Sequence, residues 1–124
     1  MDCVFCDIIK NKKEIIAEND LAVAFYDSFP VSDGHALVIP KRHCETYFDL
    51  SEEEISAMLS LSKEVKKIIE DKYHPTGYNI GFNVGLDGGQ TVFHCHMHVI
   101  PRYHGDVENP RGGIRKVTKM KTKY

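Results

Sequence analysis

Apolar positions along the chain change their period several times, and each change marks an element. Leu21 to Asp27 is an apolar, β-prone run that ends at Phe29-Pro30. Ser32-Asp33-Gly34 has turn chemistry, and His35 to Ile39 is a second run stopped by Pro40, so the two predict a β-hairpin. Ser51-Glu52-Glu53-Glu54 is a capping box, in which the serine hydroxyl accepts from the third backbone N–H and Glu54 reaches back. Behind it Ile55, Met58, Leu59, Val65, Ile68 and Ile69 recur at helical spacing, with Ser62 completing the stripe. His74-Pro75-Thr76-Gly77 ends a helix of about 20 residues. Gly77 to Val84 predicts a third strand, Gly85 to Gly89 a glycine-rich turn, and Thr91 to Ile100 a fourth strand halted by Pro101. A further short strand is expected near Ile15 to Ala17. Strands outnumber helices and hairpin spacings favour antiparallel pairing. The expected fold is therefore α+β, about five antiparallel strands packed on the long helix.

Composition narrows the function classes. At 124 residues, with 42% hydrophobic and 27% charged side chains, the chain suits one globular domain spanning 1–124. A net charge of −2 gives no bulk attraction to nucleic acid or anionic membrane, so neither is an expected partner and any phosphate site must be local. The basic tail Arg115, Lys116, Lys119, Lys121 and Lys123 reads as a solvated terminus. No run approaches the roughly 18 to 20 apolar residues of a membrane span, and Met1-Asp2-Cys3-Val4-Phe5-Cys6 lacks the pattern of a secretion signal. A cytoplasmic location is expected. There the four cysteines are expected as thiols rather than disulfides. Cys3-x-x-Cys6 by itself stays open between half a metal site, a redox pair and inert thiols. Cys44 and Cys95 read as small buried hydrophobes.

The chemistry concentrates in Gln90-Thr91-Val92-Phe93-His94-Cys95-His96-Met97-His98. In a strand, side chains alternate, so His94, His96 and His98 would share one face about 6 to 7 Å apart, with Cys95, Met97 and Val99 turned into a core. Three imidazoles in a row are poor core material, because each needs hydrogen-bond partners or a ligand. Two chemistries use such a row. Histidines at i and i+2 can reach one zinc. Alternatively, a neutral imidazole attacks phosphorus, dividing a hard hydrolysis into two easier steps. Gly85, Gly88 and Gly89 just upstream favour the second, since a bare backbone can offer N–H groups to phosphate, with Gln90 and Thr91 as further donors.

His94-Cys95-His96-Met97-His98-Val99-Ile100 resembles the signature of the histidine triad (HIT) family, three histidines alternating with apolar residues. Ala24-Phe25-Tyr26-Asp27, Gly34 to His43, and Asn83 followed by Gly89-Gln90-Thr91 resemble family blocks in the family's order. The likeness covers roughly residues 3–102, leaves 103–124 as an extension, and is greatest to the microbial, zinc-carrying nucleotide hydrolases. It implies a sheet of about five strands with one long helix and a short one, and a homodimer. It also implies cleavage at the α-phosphate of nucleoside phosphoramidates or dinucleoside polyphosphates, with a purine nucleotide, usually adenosine, as substrate.

Transferred to matching positions, the family pattern makes His96 the nucleophile, with its proton on Nδ1 so that Nε2 keeps a lone pair. His98, Gln90, Thr91 and Asn83 become donors to the phosphate oxygens, Gly89 lines the same loop, and Asp27 accepts from ribose hydroxyls. His35 joins the catalytic set by orienting an imidazole from behind the triad. Cys3, Cys6, His43 and His94 match the zinc ligands; a Cys₂His₂ set fills all four tetrahedral positions, so that zinc is structural. Without the resemblance, Asp27 is an ordinary strand-end carboxylate. His74 and His104 match no motif, and Arg102, Arg111 and Arg115 are weaker candidates for a distal phosphate or leaving group. The transferase branch of the family carries Gln at the third signature position, so His98 argues for hydrolysis over nucleotidyl transfer. Two other readings stay in play: a hydrolase with a catalytic zinc on the triad, and a nucleotide sensor or adaptor with little turnover.

Overall fold

Local side-chain chemistry starts the long helix where the sequence predicts it. In the computed structural model, which describes residues 2–120, Ser51 Oγ accepts from Glu54 N at 3.1 Å and Glu54 Oε1 accepts from Ser51 N at 2.9 Å. Lys121 and Lys123 of the basic tail lie outside the described residues. This helix spans Glu52–Tyr73 and ends at His74 in the left-handed conformation. A shorter helix, Val4–Asn11, is capped by Cys3, whose Sγ accepts from Cys6 N. We number the two helices α1 and α2 in chain order. The strands are β1 (Ile15–Glu18), β2 (Ala22–Tyr26), β3 (Ala36–Pro40), β4 (Gly77–Phe82) and β5 (Met97–Arg102).

All strand pairs are antiparallel, in the order β1-β2-β3-β5-β4. The β2–β3 hairpin closes through the turn at Gly34, whose φ of 86° and contact with the Tyr73 ring leave no room for a side chain. The segment from β3 through α2 to β4 crosses the sheet and lets β5 insert between β3 and β4. One face of the sheet (Ala22, Ala24, Ala36, Val38, Met97, Val99) packs on Met58, Leu61, Val65 and Ile69 of α2. The other face (Val23, Phe25, Leu37, Ile39) is covered at one end by Cys3 and Phe5. This second face carries the histidines.

Two expectations need correction. The buried stripe of α2 is Glu54, Met58, Leu61, Val65 and Ile69, while Leu59 and Ile68 are exposed and Ile55 and Ser62 only half-buried. Period alone left two adjacent stripes to choose from. The predicted strand Thr91 to Ile100 also begins only at Met97, and it runs through Pro101 to Arg102. Both neighbours run out there: β4 ends with Phe82 opposite Met97, and the last β3 partner of β5 is Val38, also opposite Met97. Further along β3, Pro40 has no N–H to give, and its carbonyl lies 2.9 Å from His94 Nε2. Residues 90–96 are thus free to leave the sheet, with Cys95 N donating instead to Cys44 O at 2.7 Å.

Candidate active site and metal centre

The irregular segment before β5 lets His94 and His96 face different neighbours. His94 is fully buried and turns toward α1, where Cys3, Cys6, His43 and His94 place their ligand atoms within 4.8 Å of one another. His94 Nδ1 lies 3.5 Å from both Cys3 Sγ and Cys6 Sγ, and His43 Nδ1 lies 3.4 Å from Cys6 Sγ. Bond lengths of about 2.3 Å to sulfur and 2.0–2.1 Å to nitrogen around a tetrahedral zinc give S···N edges of about 3.5 Å. The donor set therefore fits that ion in size and in chemistry. The Pro40 carbonyl adds a second match. Because a carbonyl only accepts, His94 carries its proton on Nε2 and leaves the Nδ1 lone pair for a metal.

His96 has the opposite tautomer. Its Nδ1 lies 2.9 Å from the backbone oxygen of His94, which requires Nδ1–H and leaves the Nε2 lone pair open. Among the described residues no group bonds that nitrogen, and the only buried side-chain polar atom without a partner is Tyr78 Oη, so His96 Nε2 reaches solvent. The ring is held by Phe5, with centroids 5.1 Å apart and planes at 83°, and by His98 at 5.0 Å.

His98 and His35 form a hydrogen-bond chain of defined polarity. Val31 N–H donates to His35 Nδ1 at 3.1 Å, so neutral His35 carries its proton on Nε2 and gives it to His98 Nδ1 at 2.9 Å. His98 then presents Nε2–H. Burial lowers the pKa of His35, and it pushes His98 down to about 4 with help from the neighbouring His96 and His35, so both are neutral near pH 7. Asp27 closes the chain: Oδ2 lies 3.4 Å from His35 Nε2, while Oδ1 accepts from Phe29 N at 2.9 Å. Asp27, His35 and His98 also fall within metal-binding distance of each other. A metal there would need the very nitrogen of His35 that Val31 forces to be protonated. The trio is a proton-ordered chain.

The glycine-rich loop differs from expectation. Gly88 N donates to Gly85 O, Gly89 N to Leu86 O and Gln90 N to Gly85 O, so these N–H groups close the loop on itself and do not face a ligand. A methyl at Gly88 would collide with the Val84 carbonyl, which explains the glycine. Gln90 is buried, with Oε1 accepting from Gly85 N at 3.0 Å and Nε2 donating to Glu45 O at 2.6 Å and Val92 O at 3.0 Å. Its side chain is a brace and has no donor left for phosphate. Thr91 is exposed beyond it, and Asn83 is exposed beside Gly89. Arg102 is likewise engaged, bidentate to Asp106 at 2.7 and 2.8 Å and to Asn79 at 2.6 Å. Arg111 and Arg115 lie in the segment beyond β5. His74 and His104 are exposed, Cys44 and Cys95 are buried, and burial pushes the Cys95 thiol to about 12.

The site also uses groups that no side-chain pattern displays: the Pro40 and His94 carbonyls, the Val31 N–H, and the ring of Phe5. Phe5 was within reach, since it sits inside Cys3-x-x-Cys6, but nothing in its spacing points to His96.

An antiparallel sheet carrying His35, His96 and His98 beside a Cys₂His₂ cluster is the arrangement that the resemblance to histidine triad proteins implies, and comparison places the chain in that family. The HIT domain model matches residues 9–105. The chain belongs to the HIT family. It is 43% identical over 104 residues to an uncharacterised 16.1 kDa HIT-like protein of Mycoplasma pneumoniae, covering 82% of this chain and 72% of the relative. It is 42% identical to adenosine 5′-monophosphoramidase of Schizosaccharomyces pombe, with 82% and 75% covered. A zinc-bound histidine triad family protein from Mycobacterium smegmatis superposes with a TM-score of 0.78 at 36% identity, covering 86% of this chain and 78% of that one.

Proposed function

We propose that this chain is a nucleotidyl hydrolase that cleaves nucleoside phosphoramidates or dinucleoside polyphosphates at the α-phosphate. The observation that carries this is the His96 tautomer: Nδ1–H is locked on a carbonyl and Nε2 is unpartnered and open. Nε2 attacks the α-phosphorus and forms a P–N bond, while the bond to the leaving group breaks and the leaving group departs with the electron pair, an amine taking up a proton from solvent as it leaves. Water then attacks the same phosphorus and gives up one proton to solvent, a P–O bond replaces the P–N bond, and the imidazole lone pair returns as the monophosphate leaves, so that the net change is the addition of one water. His98 supplies Nε2–H toward the charge that develops on phosphate oxygens, with Thr91 and Asn83 as neighbouring donors. Gln90 and Gly89 contribute by shaping the loop. His35 is a positioning residue that orders the His98 proton, and Asp27 keeps acceptor capacity for a ribose hydroxyl. Similarity to a relative named as an adenosine 5′-monophosphoramidase supports an adenosine substrate.

Cys3, Cys6, His43 and His94 would hold a structural zinc, with donor distances and the Pro40 bond in its favour. All four positions are filled by protein, so the metal supplies scaffolding for α1 and no open site. Chelation is thus expected to loosen α1 on an otherwise folded sheet, whereas a catalytic triad zinc would lose chemistry with α1 still in place.

The test is monophosphate release from adenosine 5′-phosphoramidate and diadenosine polyphosphates. Wild type should turn over and His96→Ala should not, with His96→Gly retaining bound nucleotide. Wild type that binds AMP yet releases none from any of these substrates would leave the sensor reading in its place. A homodimer is also part of the proposal, supported by the unpaired outer edge of β4 and by apolar Leu59, Ile68 and Ile80 lying exposed.

A further inference from the structure

Phe5 touches both the Cys₂His₂ cluster and the proposed nucleophile with one side chain. It lies inside the Cys3–Cys6 turn, with its backbone in the first turn of α1. Its ring is buried and makes edge-to-face contacts with three others: Phe25 at 5.4 Å, His94 at 5.9 Å and His96 at 5.1 Å. His94 belongs to the Cys₂His₂ cluster and His96 is the proposed nucleophile. A hydrogen bond from Nδ1 to the His94 carbonyl fixes one edge of the His96 ring, but a single bond leaves the ring free to swing about it. Contacts with the Phe5 and His98 rings restrict that swing. Phe25 of β2 in turn packs against Phe5.

Apolar packing and the Cys₂His₂ cluster together hold this wall. Cys3 and Phe5 are buried with Val23, Phe25, Leu37 and Ile39, and Cys6, Ile8 and Ile9 pack against them. Cys3 and Cys6, which flank Val4 and Phe5 in the chain, are also two of the four cluster residues. We propose that Phe5 is a positioning residue that couples the Cys₂His₂ centre to His96: a filled centre presses the ring against the imidazole, and an emptied one releases it. This rests on His96 as the nucleophile. It makes the metal centre a determinant of the rate of nucleophilic attack without any contact between metal and substrate.

The experiment compares wild type, Phe5→Leu and Phe5→Met, each as the full chain loaded with zinc and then stripped by a chelator. Zinc content, kcat and KM on adenosine 5′-phosphoramidate, and the His96 ring C–H signal in NMR (assigned by its loss in His96→Ala) are recorded. Phe5→Leu should keep its zinc and a KM within about twofold of wild type, while kcat falls about tenfold or more, because a misplaced reacting group costs that much. A role in mere stability would lower the soluble yield and leave kcat per folded molecule unchanged, which overturns the proposal. The ring current of Phe5 supplies the second readout. Stripping zinc from wild type should move the His96 signal toward its position in Phe5→Leu, and stripping zinc from the variant should leave it in place. Equal shifts in both proteins, or none in either, also overturn the coupling. Should Phe5→Leu lose zinc on purification, Phe5→Met takes its place, and the wild-type shift still decides. Absence of turnover in wild type would count against the hydrolase reading, and the NMR arm would still report on the coupling.

Discussion

Four histidines of one chemical type divide here between two tautomers, because each is defined by the atom against its other nitrogen. Carbonyls at Pro40 and His94 put protons on His94 Nε2 and His96 Nδ1, while the Val31 N–H puts one on His35 Nε2 and so on His98 Nε2. The state of His98 has a thermodynamic consequence. Its folded pKa of about 4 lies below the ordinary 6.5, so the unfolded chain binds more protons between those values. Stability attributable to His98 should be constant above about pH 6.5, fall as pH drops, and level off below about 4. Thermal unfolding across that window should therefore show a slope that His98→Gln reduces. Gln90 is the other single residue on which the site depends. Gln90→Leu strips three hydrogen bonds, leaves Gly85 N unpaired, and is expected to cost about 1–3 kcal/mol by urea unfolding while lowering kcat more than it raises KM.

At the scale of elements, the N-terminus of α2 links the helix to the metal-binding segment. Glu54 caps Ser51 and also receives Arg42 at 3.0 and 2.8 Å, and Arg42 precedes the metal candidate His43. Arg42 pulls the Glu54 carboxyl from 4.5 down to about 2. The sign is the same as for His98, in a lower pH window. Here the depressed carboxylate contributes fully above about pH 4.5, and the contribution is lost as pH falls toward 2. Glu54→Gln should flatten acid unfolding in that lower window and leave the window above pH 4.5 unchanged in slope. The capping box was legible because its partners are three residues apart. The Arg42 pair was not, since it spans a loop whose path the sequence does not dictate.

For the whole molecule, the sheet order decides what is left exposed. β4 sits at an edge with Ile80 half-exposed, and α2 presents Leu59 and Ile68 outward. Sedimentation should find a dimer, with Leu59→Asp or Ile80→Asp shifting it to monomer by at least tenfold in dissociation constant, on the order expected when a charge enters an apolar contact. A wild-type monomer at tens of micromolar would remove the dimer from the proposal. No helix among the described residues is long and apolar enough to cross a membrane.

Much of this protein is determined by residues near one another in the chain. The β2–β3 hairpin, the capped start of α2, its stop at His74 and the alternation of Met97, His98 and Val99 follow from rules of local sterics and hydrogen bonding, and the structure has each of them. The fold class followed as well. Contacts between distant segments were settled only by packing. Leu61 and not Leu59 faces the sheet, β5 begins only after His94 and His96, the glycine loop bonds to itself, and Gln90 braces rather than points outward. In each case the competing arrangements satisfy the same local periods, and the choice depends on which backbone carbonyl or N–H the rest of the chain brings into reach.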